Sequence, residues 1–214
     1  MPVLHEHDRK AVRSRLEGKL EKPVTMNVFT QEFECQYCRE MRELAGELQE
    51  LADGKIKLNV YDFEKDAKLA EKWGVDKIPA LLLHGEREYN VRFFGLPAGY
   101  EFITLIEDLI EVSKGYSRLS PAVRDRVSKI DKPVHIQVFV TPTCPYCPRA
   151  VRTAHQMAIE NNLITADMVE VIEFPHLATK YDVMAVPKVV INDKVSFEGA
   201  LPEPHFLEHV LKAL

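Results

Sequence analysis

Cys35, Cys38, Cys144 and Cys147 are the four cysteines of this chain, and they fall into two pairs of the form Cys-x-x-Cys. The first pair lies in Glu34-Cys35-Gln36-Tyr37-Cys38-Arg39, the second in Thr141-Pro142-Thr143-Cys144-Pro145-Tyr146-Cys147-Pro148-Arg149. Two thiols at this spacing can close and reopen as a disulfide, or supply half of a tetrahedral zinc site. Structural zinc modules bring their two pairs within roughly 20 residues of each other. Here the first cysteines stand 109 positions apart, both pairs precede long helix-like runs, and neither opens a glycine-containing knuckle. The spacing therefore favours redox chemistry over a Cys₄ metal site.

That chemistry depends on what surrounds the thiols. A sulfur at a helix N-terminus faces unpaired backbone N–H groups and the positive end of the helix dipole, and both favour the thiolate that attacks disulfides. Cys35 and Cys144 are the expected nucleophiles, while Cys38 and Cys147, one turn into the helix and less exposed, resolve the mixed disulfide. Pro145 suits a first helical position, where a missing N–H costs nothing. Arg39, Arg42, Arg149 and Arg152 read as solvated helix-surface residues, and Tyr37 and Tyr146 as rings packed beside the sulfurs, with Tyr146 also placed to touch a substrate. Glu32 and Glu34 oppose a thiolate at Cys35, whereas no acid lies close in sequence to Cys144. The second pair should then be the more oxidising and reactive of the two.

The elements that must hold these loops recur. Val24–Phe29 alternates as a strand, Met41, Leu44, Ala45, Leu48 and Leu51 mark one face of a helix, and residues 56–63 alternate again. A short helix ending at Trp73, a hairpin around Gly85-Glu86, and an apolar stripe from Phe102 to Ile110 follow; the stripe reads as internal core rather than a dimer face. Leu20-Glu21-Lys22-Pro23-Val24 matches Ile130-Asp131-Lys132-Pro133-Val134 at an offset of 110, and Lys72–Pro79 matches Lys180–Pro187 at 108. Phe94-Gly95-Leu96-Pro97 is echoed by Glu198-Gly199-Ala200-Leu201-Pro202. A drift of two positions between the first two matches, with the last a looser echo, identifies one duplicated unit, with domains expected at 1–115 and 116–214. Strand, helix, strand and then a hairpin demand a parallel pair joined by a right-handed crossover, followed by antiparallel strands in the same sheet.

Composition narrows the function further. At 214 residues, 46% hydrophobic and 29% charged, the chain is an ordinary globular protein large enough for two small cores. A net charge of −5 without a basic block argues against nucleic acid as a partner, and no apolar run approaches the roughly 20 residues needed to cross a bilayer. Met1-Pro2-Val3-Leu4-His5-Glu6-His7-Asp8 lacks the basic start and apolar middle of a signal peptide, so the cytoplasm is the expected compartment. His205 and His209 share a helix face without a third ligand and read as surface histidines. No metal and no cofactor is expected.

Phe139-Val140-Thr141-Pro142-Thr143-Cys144-Pro145-Tyr146-Cys147 resembles a glutaredoxin active site. Ile78-Pro79 and Val186-Pro187, 44 and 43 residues after their cysteines, sit where thioredoxin-like proteins carry a cis-proline. Together the two units resemble the glutaredoxin-like protein disulfide oxidoreductases of thermophilic archaea and bacteria. The resemblance implies an α/β protein of two tandem thioredoxin-like folds, each a central mixed β-sheet flanked by helices. It also implies reduction, oxidation and isomerisation of protein disulfides, substrate contacts at Ile78, Pro79, Val186, Pro187, Tyr37 and Tyr146, and reducing equivalents from a thioredoxin-reductase-like flavoprotein. Two departures stand out. The buried carboxylate that thioredoxins carry six positions before the first cysteine is replaced by Phe29 and Val138, and a glutathione-binding lysine three before it by Glu32 and Thr141, which argues against glutathione as donor. The competing reading is a non-enzymatic zinc module, or an adaptor like the amino-terminal part of an alkyl hydroperoxide reductase flavoprotein, which generally keeps one CxxC.

Overall fold

The computed structural model describes residues 3–214; Met1 and Pro2, where the leader reading begins, lie outside the described residues. The first half runs α1 (Glu6–Leu16), β1 (Val24–Thr30), α2 (Cys38–Leu51), β2 (Ile56–Asp62), α3 (Ala67–Lys72), β3 (Ala80–His84), β4 (Glu88–Phe94) and α4 (Glu101–Lys114). The second repeats it as α5 (Pro121–Ser128), β5 (Val134–Val140), α6 (Cys147–Glu160), β6 (Ile164–Glu170), α7 (Pro175–Lys180), β7 (Lys188–Ile191), β8 (Val195–Glu198) and α8 (Glu203–Lys212). Within each half the middle strands pair as the sequence demands. β1 is parallel to β2 and antiparallel to β3, and β3 is antiparallel to β4; β5, β6, β7 and β8 repeat this arrangement. The fold is thus two tandem thioredoxin-like units.

The units are fused in a way the repeat does not reveal. β4 lies parallel to β6, Val91 opposite Ala166 through Phe94 opposite Val169, so the strands form one eight-stranded sheet in the order β2-β1-β3-β4-β6-β5-β7-β8. The joining strands are buried on both faces: Val91, Phe93, Phe94, Ala166, Met168 and Val169 are fully buried, and Arg92 and Asp167 are the charged residues among them. Strands buried on both faces read as near-continuous apolar runs, and pairing them removes two exposed edges. Arg92 and Asp167 lock the joint, with Arg92 Nε and Nη2 donating to the two carboxylate oxygens at 2.6 and 2.8 Å. Burial alone would push the Asp167 carboxyl up, but Arg92 and His135 hold it well below the usual carboxylate range.

The stripe on α4 is internal: Leu105, Ile106, Leu109 and Ile110 are buried in the apolar layer shared by both halves. Its opposite side is buried too. Glu101, Thr104, Glu107, Asp108 and Glu111 pack toward α6, where Arg152 and Gln156 donate to Glu111 at 3.0 Å and His155 Nδ1 lies 2.5 Å from Asp108 Oδ2. α6, the helix that begins at Cys147, is therefore covered on both flanks. α2, which begins at Cys38, has α1 as its helical neighbour, tied by Arg9 to Glu47 at 2.8 Å.

Candidate active site

Both cysteine pairs are closed as disulfides, each with Cα atoms 5.5 Å apart. The second cysteine of each pair is the first residue of its helix rather than one turn inside, and the first cysteine stands in the preceding loop. Accordingly Pro145 lies before the helix and not at its first position; Pro148 takes up the early position where an N–H is dispensable. The inner cysteines are the less accessible ones, Cys38 and Cys147 being buried, while Cys35 is half-buried and Cys144 retains 8% exposure.

Around the second pair the backbone converges. Cys144 N–H donates to Thr141 O at 3.2 Å, and Cys147 N–H, one of the unpaired donors of the first turn of α6, reaches Cys144 Sγ at 3.1 Å. The carbonyl oxygen of Val186 lies 3.7 Å from the same sulfur. The bonds Ile78–Pro79 and Val186–Pro187 are both cis, and both prolines are buried with a carbonyl that accepts from a glycine: Gly95 N–H to Pro79 O at 2.9 Å, Gly199 N–H to Pro187 O at 2.8 Å. A cleft of about 720 Å³ opens beside the loop, walled by Ile103, Pro145, Pro148, Arg149 and Pro202. Tyr146 is 71% exposed and Met184, two residues before Val186, is 82% exposed, so Tyr146 points to solvent rather than packing on the sulfurs.

The first pair is built more openly. Phe33, two residues before Cys35, is 82% exposed, and Tyr37 is half-buried with Gln36 donating to its hydroxyl at 3.2 Å. Among the described residues no bond from Cys38 N–H to Cys35 Sγ, or contact from Ile78 O to that sulfur, matches those of the second pair. Glu32 lies 3.5 Å from Arg42, which also donates to Thr30, so one of the two acids near Cys35 has a counter-charge. Arg39 pairs with Glu43 and Arg152 with Glu111; of the four arginines only Arg39 and Arg149 are exposed. The position six before Cys35 is filled by Phe29, stacked on Tyr61 and edge-on to Trp73; the position six before Cys144 is the buried Val138, and Phe139 next to it meets Tyr181.

Sequence reasoning missed a carboxylate that the second unit brings to the first. Glu173, in the loop after β6, accepts from Leu96 N–H at 2.6 Å, directly beside the Gly95–Pro79 link. Burial pushes its carboxyl up to about 7, with Glu170 and Glu40 adding to the effect and the Leu96 N–H opposing it. No periodicity within one unit could have signalled this contact, because its two halves are 77 residues apart. Each pair is closed on itself, and among the described residues no group of three or more His, Cys, Asp or Glu is arranged to hold a metal ion. No helix among them is long and apolar enough to cross a membrane.

The chain resembles known proteins over nearly its full length. A thioredoxin domain model matches residues 134–212. A protein disulfide oxidoreductase from Aeropyrum pernix K1 superposes with a TM-score of 0.90 at 33% identity, covering 96% of this chain and 91% of that one. The alkylhydroperoxide reductase AhpF from Enterococcus faecalis superposes with a TM-score of 0.88 at 25% identity, covering 97% and 99%. A Bacillus subtilis NADH dehydrogenase and a Staphylococcus aureus alkyl hydroperoxide reductase are 28% and 29% identical over 75% of this chain, which spans only 30% and 29% of their length.

Proposed function

Because the chain belongs to the protein disulfide oxidoreductases, a family of thiol–disulfide oxidoreductases, we propose that it reduces, oxidises and isomerises disulfides of protein substrates with its two CxxC pairs. Cys144 and Cys35 act as nucleophiles, and Cys147 and Cys38 as resolving thiols. The observation that carries the reading is the convergence on Cys144 Sγ of a helix-terminal N–H at 3.1 Å and the Val186 carbonyl at 3.7 Å. The first stabilises a thiolate; the second offers an acceptor beside the sulfur to a substrate backbone laid along it as an added strand.

In the reducing direction the Cys144 thiolate attacks one sulfur of a substrate disulfide. That S–S bond breaks, the departing substrate thiolate takes up a proton, and a mixed disulfide forms. Cys147, deprotonated, attacks Cys144 Sγ, releases the second substrate thiol and closes the protein's own disulfide, so two electrons have passed to the substrate. Oxidation is the same sequence reversed. The pair is reset by a dithiol donor, which we place in the flavoprotein class of thioredoxin-reductase type, in keeping with the reductase and dehydrogenase relatives that carry a similar segment. Ile78, Pro79, Val186 and Pro187 hold the substrate backbone, and Tyr37 and Tyr146 contact its side chains. The two units divide at 115/116, giving 1–115 and 116–214, and the cytoplasm is the compartment in which such open dithiols would stay reducible.

The reading is tested by following insulin reduction by dithiothreitol. The protein should accelerate it, and a variant with all four cysteines replaced by serine should not. An unchanged rate with the intact chain would leave only a zinc module or adaptor, a reading the two separate disulfides already disfavour.

A further inference from the structure

The loops that follow the two hairpins, after β4 and after β8, echo each other in sequence but not in use. In the second unit Gly199 takes a left-handed backbone, φ +89°, and a Cβ there would meet nothing within 4 Å. In the first unit the equivalent Gly95, φ +87°, is pressed against the second unit, and a Cβ would come within 2.7 Å of Glu170 Cβ and 2.9 Å of Glu173 Oε1. Four residues on, Gly99, φ +59°, sits so close to Pro142 that a Cβ would overlap its carbonyl oxygen. Only glycine combines that backbone with that approach. From this segment three backbone donors fan out: Gly95 N–H to Pro79 O at 2.9 Å, Leu96 N–H to Glu173 at 2.6 Å, and Tyr100 N–H to Pro142 O at 3.0 Å. The first target is the proline of the first redox site. The last is two residues before Cys144.

We infer that Gly95–Tyr100 is a positioning segment through which each unit sets the geometry of the other's redox site: Glu173 of the second unit steadies the Pro79 wall of the first, and Gly99-Tyr100 of the first steadies the Cys144 loop of the second. The inference rests on both pairs being redox sites. The duplicate loop at Gly199 supplies the internal contrast, since it keeps the bond to its own proline, Gly199 N–H to Pro187 O at 2.8 Å, and a Cβ at Gly199 would meet nothing within 4 Å. Coupling of this kind is reciprocal in principle, because a contact that strengthens when one pair is reduced must in turn bias that pair.

The test uses the full chain in two parents, Cys35→Ser/Cys38→Ser and Cys144→Ser/Cys147→Ser, each of which reports a single pair. Both are equilibrated against graded ratios of reduced and oxidised dithiothreitol, and the oxidised fraction is read by alkylation and mass. Gly99→Ala should shift the midpoint ratio of the second pair by about fivefold or more while leaving the first pair nearly unmoved. Glu173→Ala should do the converse, and Glu173→Gln, whose amide oxygen still accepts from Leu96 N–H, should restore the parent value. No shift in either arm, or one substitution moving both pairs equally as general loosening would, overturns the inference. Parents that exchange no disulfide at all would instead overturn the functional reading beneath it.

Discussion

The two redox loops occupy equivalent places in equivalent units, yet they are held differently. The Cys144 loop is gripped from three directions: by the N–H of Cys147, by the wall at Val186, and by Tyr100 of the other unit. Its helix α6 is buried along both flanks. The Cys35 loop carries an exposed phenylalanine and two glutamates, and leaves its first cysteine half-buried. The pairing of β4 with β6 creates the difference. It places the second unit's cysteine helix against α4 of the first, whereas the first unit's own cysteine helix lies toward the free end of the sheet. Duplication supplies two identical folds, and the joint between them makes two unequal sites.

The largest test of that statement is to break the joint. Arg92→Ala leaves Asp167 buried without its guanidinium partner, with His135 alone beside it at 2.6 Å, and frees the carbonyls of Trp73 and Gly74, to which Arg92 also donates at 3.0 Å. Losing one partner of a buried ion pair costs about 3–5 kcal/mol. Chemical denaturation should show a loss of that size, with a much smaller one when Arg92 and Asp167 are both replaced by leucine. A surviving Arg92→Ala protein should also alkylate Cys144 faster, bringing it closer to Cys35.

Next in size is the effect on turnover. Cys144→Ser should lower insulin reduction on the order of 10²-fold, because the better-activated nucleophile is gone. Cys35→Ser should lower it only a few-fold. Equal losses would mean that the two loops, however differently they are held, contribute alike.

Much of this was legible in the sequence. The period-2 and period-3.6 runs, the repeat at an offset of 108–110 and the two prolines gave the element order, the crossover and the placing of each cysteine pair at the start of a helix, though one turn too deep for the second cysteines. The fusion of the sheets was not legible, because Val91–Phe94 and Ala166–Val169 look like any strands buried on both faces, and the single opposite charges within them, Arg92 and Asp167, do not by themselves name each other as partners. The burial of the acids of α4 was not legible either. Polarity along one helix does not reveal that Arg152, His155 and Gln156, spaced to share a face of α6, will meet it. Matching those two patterns would have been the available clue. Glu173 had none, since its meaning depends on a contact between units.

The acids of α4 allow the comparison to be sharpened with pH. Burial raises the Glu101 carboxyl from its ordinary value of 4.5 to about 7, with Asp108 adding to the shift and both Thr104 and His155 of α6 opposing it. A raised carboxyl favours the folded protein below the unfolded value, and that contribution is lost as pH rises through about 7. Glu101→Gln removes the titration, so its stability relative to the unmodified chain should improve by about 2 kcal/mol between pH 5 and pH 8. Thermal melts at the two pH values read this directly. Since α4 covers α6, the alkaline loosening should reach Cys144 before Cys35.

The smallest effect is the one that most directly distinguishes the sites. A thiolate at Cys144 receives the Cys147 N–H with no carboxylate close by in sequence, whereas one at Cys35 has Glu34 next to it and Glu32 only partly offset by Arg42. Stabilising the thiolate stabilises the reduced form, which makes the corresponding disulfide the stronger oxidant. The Cys144–Cys147 pair should therefore sit higher in reduction potential by about 30 mV, a tenfold ratio for a two-electron couple. Glu34→Gln should narrow the gap from below by raising the first pair alone. If the first pair proved the more oxidising, local charge and helix-end donors would not be what sets these potentials, and the tighter grip on Cys144 would have to be read as stabilising its disulfide instead.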